Sequence, residues 1–194
     1  MSFDDAFQSS VTVYNRAVSG ASTKSFINAG RWSKVTAELK EGDYVFINFG
    51  HNDEEQTKSN STTPSEYTAN LTKMVRETLA KKAIPVLLTS ITRYKWSNGS
   101  VKDSHPYSKY VREVATAQKA HFIDLNTLSK KLLESYGQEP AKKLYLFFKG
   151  GLYPAYPDGA SDETHLSVLG ASEMSDIVES ELKRQNIPLG TRLK

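Results

Sequence analysis

Two short strings of residues carry side chains suited to chemistry on an ester: Asp162-Glu163-Thr164-His165 and Gly50-His51-Asn52-Asp53. Acyl transfer needs a nucleophile, a base that takes its proton, a group that orients the base, and donors for the developing oxyanion. His165 is the candidate base, and Asp162, three residues earlier, is placed to sit beside it on one turn and hold the imidazole tautomer. The alternative interpretation is a helix cap, in which Asp162 or Thr164 accepts backbone N–H bonds.

The candidate oxyanion donors are Asn52 and Gly20. Asn52 offers a neutral amide on a loop that follows a strand-like run, and a positioned amide is a suitable contact for an oxyanion. Gly20 offers a backbone N–H with no Cβ to obstruct a substrate. Each also has an ordinary interpretation, because both lie among residues that commonly form turns.

A metal site is a further alternative for the same strings. His51, Asp53, Asp162 and His165 are nitrogen and oxygen ligands of the kind that zinc or another divalent ion accepts. No His-x-x-x-His or comparably dense cluster supports this interpretation, and the chain has no cysteine. His105 and His121 have no patterned partners, so we interpret them as surface or packing residues.

Aromatic side chains allow a sugar-stacking platform or ordinary packing, and the sequence does not separate the two. The residues concerned are Trp96 and the tyrosines at 94, 145, 153 and 156.

The elements that must position these residues follow from hydrophobic spacing and capping signals. Thr63-Pro64-Ser65-Glu66 combines an N-cap, a proline at the first helical position and a glutamate at N3, which predicts a helix with a capping box. Apolar residues at helical spacing predict further helices. These are a helical stretch that includes Phe26 and ends at Leu39, one over 107–120, one that begins at about 126, and one over 167–184. We expect strands at 11–14, 44–49, 84–89 and 121–125, and an irregular surface segment at 137–160.

Strands that alternate with helices indicate an α/β fold with a mostly parallel sheet. Ligands bind beyond the carboxyl ends of the strands in such sheets. Gly20 and the string 50–53 both follow predicted strands, which agrees with that rule. The length of 194 residues, without a repeat or linker, predicts one domain over 1–194.

The strings and their surroundings together resemble the SGNH (GDSL) hydrolases, and most closely the rhamnogalacturonan acetylesterase-like branch. The resemblance rests on residues 16–26, 26–32, 42–53 and 162–165. It implies a flavodoxin-like three-layer α/β/α sandwich and a carbohydrate O-acetylesterase without a cofactor, acting on a pectin- or rhamnogalacturonan-like or other acetylated polysaccharide. By the same resemblance, Gly20 and Asn52 are oxyanion donors, His165 is the base and Asp162 orients it.

The chain departs from the family pattern at the nucleophile. Members begin with a central strand ending in Gly-Asp-Ser, but here residues 3–7 resemble the helix after that strand, and no Gly-Asp-Ser is found. Ser90, Ser22 and Ser19 are weak substitutes, since serines after strands usually serve turns or caps. We therefore expect impaired activity and a sheet without its usual first central strand. A sheet that lacks this strand could also pair with a second copy of the chain, which would give a homo-oligomer. The rival function is non-catalytic carbohydrate binding.

Composition limits the other function classes. The net charge of +3 is spread without a basic stripe, which argues against nucleic-acid binding. No apolar run approaches the roughly 20 residues of a membrane span, so we expect no membrane partner. The N-terminal residues 1–5 lack the basic and apolar regions of a signal peptide, and the localisation is left open although similar proteins are often secreted.

Overall fold

The computed structural model describes residues 3–194, so Met1 and Ser2, the start of the segment inspected for a signal peptide, lie outside the described residues. The helices are α1 (Thr23–Asn28), α2 (Arg31–Glu38), α3 (Pro64–Ala80), α4 (Ser108–Gln118), α5 (Leu125–Tyr136), α6 (Gln138–Ala141) and α7 (Val168–Arg184). The strands are β1 (Tyr44–Asn48), β2 (Ile84–Leu88), β3 (Trp96–Ser97), β4 (Ser100–Val101), β5 (His121–Ile123), β6 (Tyr145–Lys149) and β7 (Gly159–Leu166). Short 3-10 helices span Lys142–Leu144 and Pro188–Arg192.

The chain divides into two units by its internal contacts. The sheet unit comprises Tyr14–Ser90 and His105–Asp124, and the ribbon unit comprises the residues up to Val13 with Ile91–Ser104 and Leu125–Lys194. This division into units does not decide whether residues 1–194 fold as one domain, so that statement stays a prediction.

The sheet unit contains a parallel sheet of strand order β1-β2-β5. Its strands contribute Ile47 and Leu87 to a core that also receives Leu71, Met74 and Val75 from α3. The predicted capping box at the start of α3 is confirmed, because Thr63 accepts from the Glu66 N–H and the Glu66 carboxylate accepts from the Thr63 N–H. The fold class is α/β with a parallel sheet and flanking helices, as the sequence predicts.

The ribbon unit is built around the antiparallel pair β6–β7, with α5, α6 and α7. Its core gathers Leu133 of α5, Ala141 of α6 and Tyr145 of β6, together with Tyr94 and Leu144. The predicted helix at 167–184 is confirmed as α7, which begins after the N-cap Ser167. This arrangement places the Asp162–His165 string on a strand next to the start of a helix.

Several expectations about local structure are wrong. Residues 3–7 form turns and an isolated bridge from Phe7 to Leu193, and no helix. Residues 11–14 form no strand, because β propensity describes how a side chain fits a paired, packed surface and does not create a partner strand. The segment 137–160 contains α6, a 3-10 helix and β6, where we expected irregular structure.

The helical spacing that runs up to Leu39 is divided between two helices. Gly30, with φ of +69°, separates α1 from α2, and glycine adopts this left-handed conformation with little strain.

Candidate active site

The candidate acid and base lie in a bulge of the β6–β7 ribbon. The register pairs Leu146 with Asp162, but the next pair along the ribbon joins Tyr145 to Leu166. Residues 163–165 therefore have no opposite partner on β6. A bulge of this kind bends one strand and re-aims its side chains, which allows a residue and its third neighbour to face each other.

Asp162 uses both carboxylate oxygens within this bulge. Its Oδ1 accepts the backbone N–H groups of Thr164 at 2.7 Å and His165 at 2.9 Å, and its Oδ2 lies 2.7 Å from His165 Nδ1. Partial burial acts to raise the pKa of Asp162, but the hydrogen bonds from the two backbone N–H groups and the imidazole outweigh it, so the pKa lies below its ordinary value. The ionised carboxylate only accepts hydrogen bonds, so it favours the proton on Nδ1.

This arrangement presents the other ring nitrogen of His165 to its surroundings. The side chain of His165 is 67% exposed, whereas that of Asp162 is 35% exposed. With Nδ1 protonated, Nε2 carries the lone pair and is able to take a proton from a nucleophile. The predicted pairing of these two side chains is thus present in the structure.

Three contacts of the ribbon unit hold the bulge in place. The Tyr94 N–H donates to the carbonyl of Glu163 at 2.7 Å. Directly after the bulge, Ser167 donates its N–H to the Leu144 carbonyl at 3.0 Å and caps α7 through the N–H of Gly170. Because Ser167 is the N-cap, the alternative interpretation of Asp162 or Thr164 as the helix cap is wrong.

In the sheet unit, the string 50–53 turns away from the carboxyl end of β1, as expected. The turn is closed by the Glu54 N–H, which donates to the Gly50 carbonyl at 2.9 Å. The Asn52 amide donates to the Ala21 carbonyl at 3.1 Å, and its oxygen accepts from Lys58 Nζ at 2.5 Å. An amide nitrogen carries two N–H groups, so the bond to Ala21 fixes Asn52 and leaves a second N–H for another acceptor.

Gly20 occupies an exposed turn before α1 and follows an irregular segment, since the predicted strand at 11–14 is not formed. Its φ of +72° is a conformation that favours glycine, and among the described residues no atom lies within 4 Å of where a Cβ would stand. Its carbonyl accepts from the side chain of Asn60 at 2.9 Å. The glycine therefore offers an open approach to its backbone.

Asp53 is fully buried, and its carboxylate binds other side chains of the same unit. It accepts the Thr23 N–H at 3.0 Å and the hydroxyls of Thr23 and Thr62 at 2.5 and 3.1 Å. Burial raises its pKa, although these hydrogen bonds act in the opposite direction. Over residues 3–194, no group of three or more His, Asp or Glu side chains is arranged to hold a metal ion.

His105 is buried, which agrees with its interpretation as a packing residue, but it also has a specific partner that the sequence did not indicate. Its Nδ1 contacts Glu54 Oε1, with side-chain exposures of 1% and 7%, and its ring lies 4.6 Å from that of His51. The Tyr107 N–H also donates to Glu54 Oε2 at 3.4 Å. The two residues of the pair lie far apart along the chain, so no local sequence pattern reports it, and the pair supports the loop that carries Asn52.

The three weak nucleophile candidates lie in different environments. The Ser22 hydroxyl caps α1 and donates to the Asn60 carbonyl at 2.5 Å. Ser90 is buried, with its hydroxyl 2.3 Å from where a Cβ of Gly50 would stand. Ser19 is exposed in a turn. Ser22 and Ser90 thus have packing or capping roles, and Ser19 is open to solvent.

Comparison with known proteins gives a family match over most of the chain. The GDSL-like lipase/acylhydrolase family model matches residues 2–172. Rhamnogalacturonan acetylesterase RhgT of Bacillus subtilis is 35% identical over an alignment 194 positions long, which covers 98% of this chain and 82% of that protein.

Two solved structures share the fold. The crystal structure of protein YxiM from Bacillus subtilis matches with a TM-score of 0.76 and 27% identity, over 91% of this chain but only 46% of the other. The acetylxylan esterase Axe2 from Geobacillus stearothermophilus matches with a TM-score of 0.63 and 22% identity, over 88% of this chain and 72% of the other, and supports the fold alone.

No helix within residues 3–194 has the length and apolar character needed to cross a membrane. The family match extends over far more than half of the sequence and agrees with the α/β fold and the acid–imidazole pair of the ribbon. The chain belongs to the GDSL-like lipase/acylhydrolase family, the SGNH hydrolases that its motifs resemble, and by family it is a carboxylic ester hydrolase.

Proposed function

We propose that this chain acts as a carbohydrate O-acetylesterase on an acetylated polysaccharide, of the pectin or rhamnogalacturonan type or a related one. The observation that carries the proposal is the Asp162–His165 pair, with 2.7 Å between Oδ2 and Nδ1. The identity of 35% to a rhamnogalacturonan acetylesterase supports the substrate class. A carboxylate that already accepts two backbone N–H bonds is held rigidly, so it orients the imidazole without reorganisation.

The proposed mechanism divides the work among four residues. His165 Nε2 takes the proton of a serine hydroxyl as the oxygen attacks the acetyl carbonyl, and Asp162 stabilises the resulting imidazolium. The Gly20 N–H and the Asn52 amide stabilise the tetrahedral oxyanion. The imidazolium then protonates the leaving sugar oxygen as the ester C–O bond breaks, and water releases acetate from the acyl-enzyme by the same sequence of proton transfers.

The serine of this mechanism is the open element. The 194 residues contain no Gly-Asp-Ser, and Ser90, Ser22 and Ser19 remain its weak candidates. Loss of a triad nucleophile costs about 10⁶-fold in kcat. We therefore expect slow acetate release from the chain as printed.

Serine-directed labelling tests the proposal. The chain is treated with a fluorophosphonate and its intact mass is measured, alongside acetate release from acetylated rhamnogalacturonan and acetylated xylan. A single adduct that is lost in His165→Ala and retained in the matched variant His121→Ala would support the proposal, and peptide mapping would identify the serine. Absence of both an adduct and acetate release would overturn the enzymatic proposal.

The rival proposal is a carbohydrate-binding protein without catalysis. It is favoured by the absence of a Gly-Asp-Ser nucleophile from a chain that keeps the acid–imidazole pair. Binding of acetylated oligosaccharide, measured by calorimetry, in a chain that neither reacts with the fluorophosphonate nor releases acetate supports this rival.

A further inference from the structure

The tip of the β6–β7 ribbon carries two exposed tyrosines packed against a half-buried phenylalanine. We call this cluster the hairpin platform: Phe148, Tyr153 and Tyr156. The ring of Phe148 lies 4.8 Å from that of Tyr153 and 5.3 Å from that of Tyr156, in edge-to-face contacts. Tyr153 is 55% exposed and Tyr156 is 44% exposed. By contrast, Tyr94 and Tyr145 are buried in the core of the ribbon unit, so the aromatic residues of the sequence separate into a core set and a surface set.

The loop that bears the hairpin platform is closely bonded to itself. The Tyr156 N–H donates to the Tyr153 carbonyl at 2.9 Å, and the Gly151 N–H donates to the Pro157 carbonyl at 3.0 Å. A Cβ on Gly159 would stand 2.5 Å from the Phe148 carbonyl oxygen. The two tyrosines are therefore presented by a constrained backbone, which lowers the entropy lost when they bind a ligand.

The hairpin platform lies on the same ribbon as the candidate acid and base. Phe148 pairs with Ala160, and Leu146 pairs with Asp162. Alternate residues of a strand face the same side, and two residues span about 7 Å. Phe148 and Asp162 therefore share one face of the ribbon, at a separation comparable to the length of a sugar residue.

Resting on the proposed function, we propose that the hairpin platform is a carbohydrate subsite that binds a sugar residue neighbouring the acetylated one. A tyrosine ring offers an apolar face and a hydroxyl at its tip, and a pyranose ring offers an apolar C–H face with hydroxyl groups at its rim. Exposed apolar patches mark ligand or partner sites. Of the large exposed hydrophobic residues of this loop, two are tyrosines and one, Leu152, is aliphatic, which favours a sugar over a lipid or a protein surface.

Binding measurements on the full chain test this subsite. Affinity for acetylated and de-acetylated rhamnogalacturonan oligosaccharides is measured by calorimetry for the wild type and for Tyr153→Ala/Tyr156→Ala. We expect affinity for both oligosaccharides to fall by about tenfold or more, and Tyr153→Phe/Tyr156→Phe to retain most of it because the rings remain. The matched control is Tyr14→Ala, at a tyrosine of the sheet unit that is 72% exposed.

Every outcome bears on the subsite. Unchanged affinity in the folded double alanine variant, with folding checked by circular dichroism, would overturn it, and so would an equal loss in Leu152→Ala, which indicates a general apolar surface. If the double alanine variant fails to fold, unchanged affinity in Tyr153→Ala and Tyr156→Ala singly overturns it. Tyrosine-dependent binding with neither a fluorophosphonate adduct nor acetate release keeps the subsite and rejects the hydrolase, whereas acetate release with tyrosine-independent binding does the reverse.

Discussion

Gly170 in the first turn of α7 is the position where a single methyl group should disturb the ribbon most. A Cβ there would stand 2.0 Å from the carbonyl oxygen of Leu144 and 2.9 Å from its carbon. Ordinary contact begins at 3.4 Å, so the helix or the Lys142–Leu144 turn would have to move by the difference, about 1.4 Å. That movement also strains the Ser167 N–H bond to the same carbonyl.

The expected effect of Gly170→Ala opposes the usual effect of helix propensity. Alanine in place of glycine within a helix stabilises by about 1 kcal/mol. Overpacking against a backbone atom costs about 1–3 kcal/mol, and a weakened backbone hydrogen bond costs about 1 kcal/mol more. The free energy of unfolding should therefore fall by about 1–3 kcal/mol, which lowers Tm by roughly 3–10 °C.

Urea unfolding followed by circular dichroism measures this change. The matched control is Ala171→Gly on the exposed face of the same helix, for which helix propensity alone predicts a loss of about 1 kcal/mol. A Gly170→Ala protein as stable as the wild type, or more stable, would refute the close approach of α7 to Leu144. It would also remove this contact as a constraint on the bulge that carries His165.

Three further predictions concern carboxylates. Glu54→Ala removes the buried carboxylate that contacts His105 and should cost about 3 kcal/mol in urea unfolding. The exposed control Glu38→Ala should cost less than about 1 kcal/mol; equal losses would contradict the buried contact. Burial raises the pKa of Asp53, so its own contribution to stability should fall as pH rises from 3.8 through the higher folded value. The free energy of unfolding of the wild type relative to Asp53→Asn should therefore decrease over that range; a constant difference would contradict the raised pKa. Asp162→Asn should shift the imidazole proton of His165 from Nδ1 to Nε2, which ¹⁵N NMR detects, because the neutral amide no longer holds Nδ1–H. Acetate release should then fall by about 10⁴-fold; an unchanged tautomer would contradict the orienting role of Asp162.

Local sequence patterns predicted the elements whose stabilising contacts are themselves local. The capping box of α3 is recognisable because the capping side chain and the backbone N–H that it accepts lie within three residues. The helix α7 is recognisable because its apolar residues recur at helical spacing. The string 50–53 after β1 is predictable for a similar reason, since a buried strand followed by turn residues is a local signal. The pairing of Asp162 with His165 also depends on a separation of only three residues.

Expectations failed where a distant partner decides the structure. The residues of β6 carry turn-forming neighbours that predict an irregular segment, and the bulge of β7 is defined only by its pairing with β6. The expected strand at 11–14 had suitable residues, but a strand is formed only when another strand pairs with it.

The sequence by itself determined the family, the α/β class and the residue types of the candidate site, because these depend on order, spacing and side-chain chemistry. Only the tertiary structure decided that Asp162 and His165 meet in a strand bulge, that Glu54 and His105 form a buried pair, and that two tyrosines are exposed at the ribbon tip. Strand register and burial determine these features, and both arise from pairing and packing between segments that are remote in the chain. The local sequence around each residue therefore does not determine them.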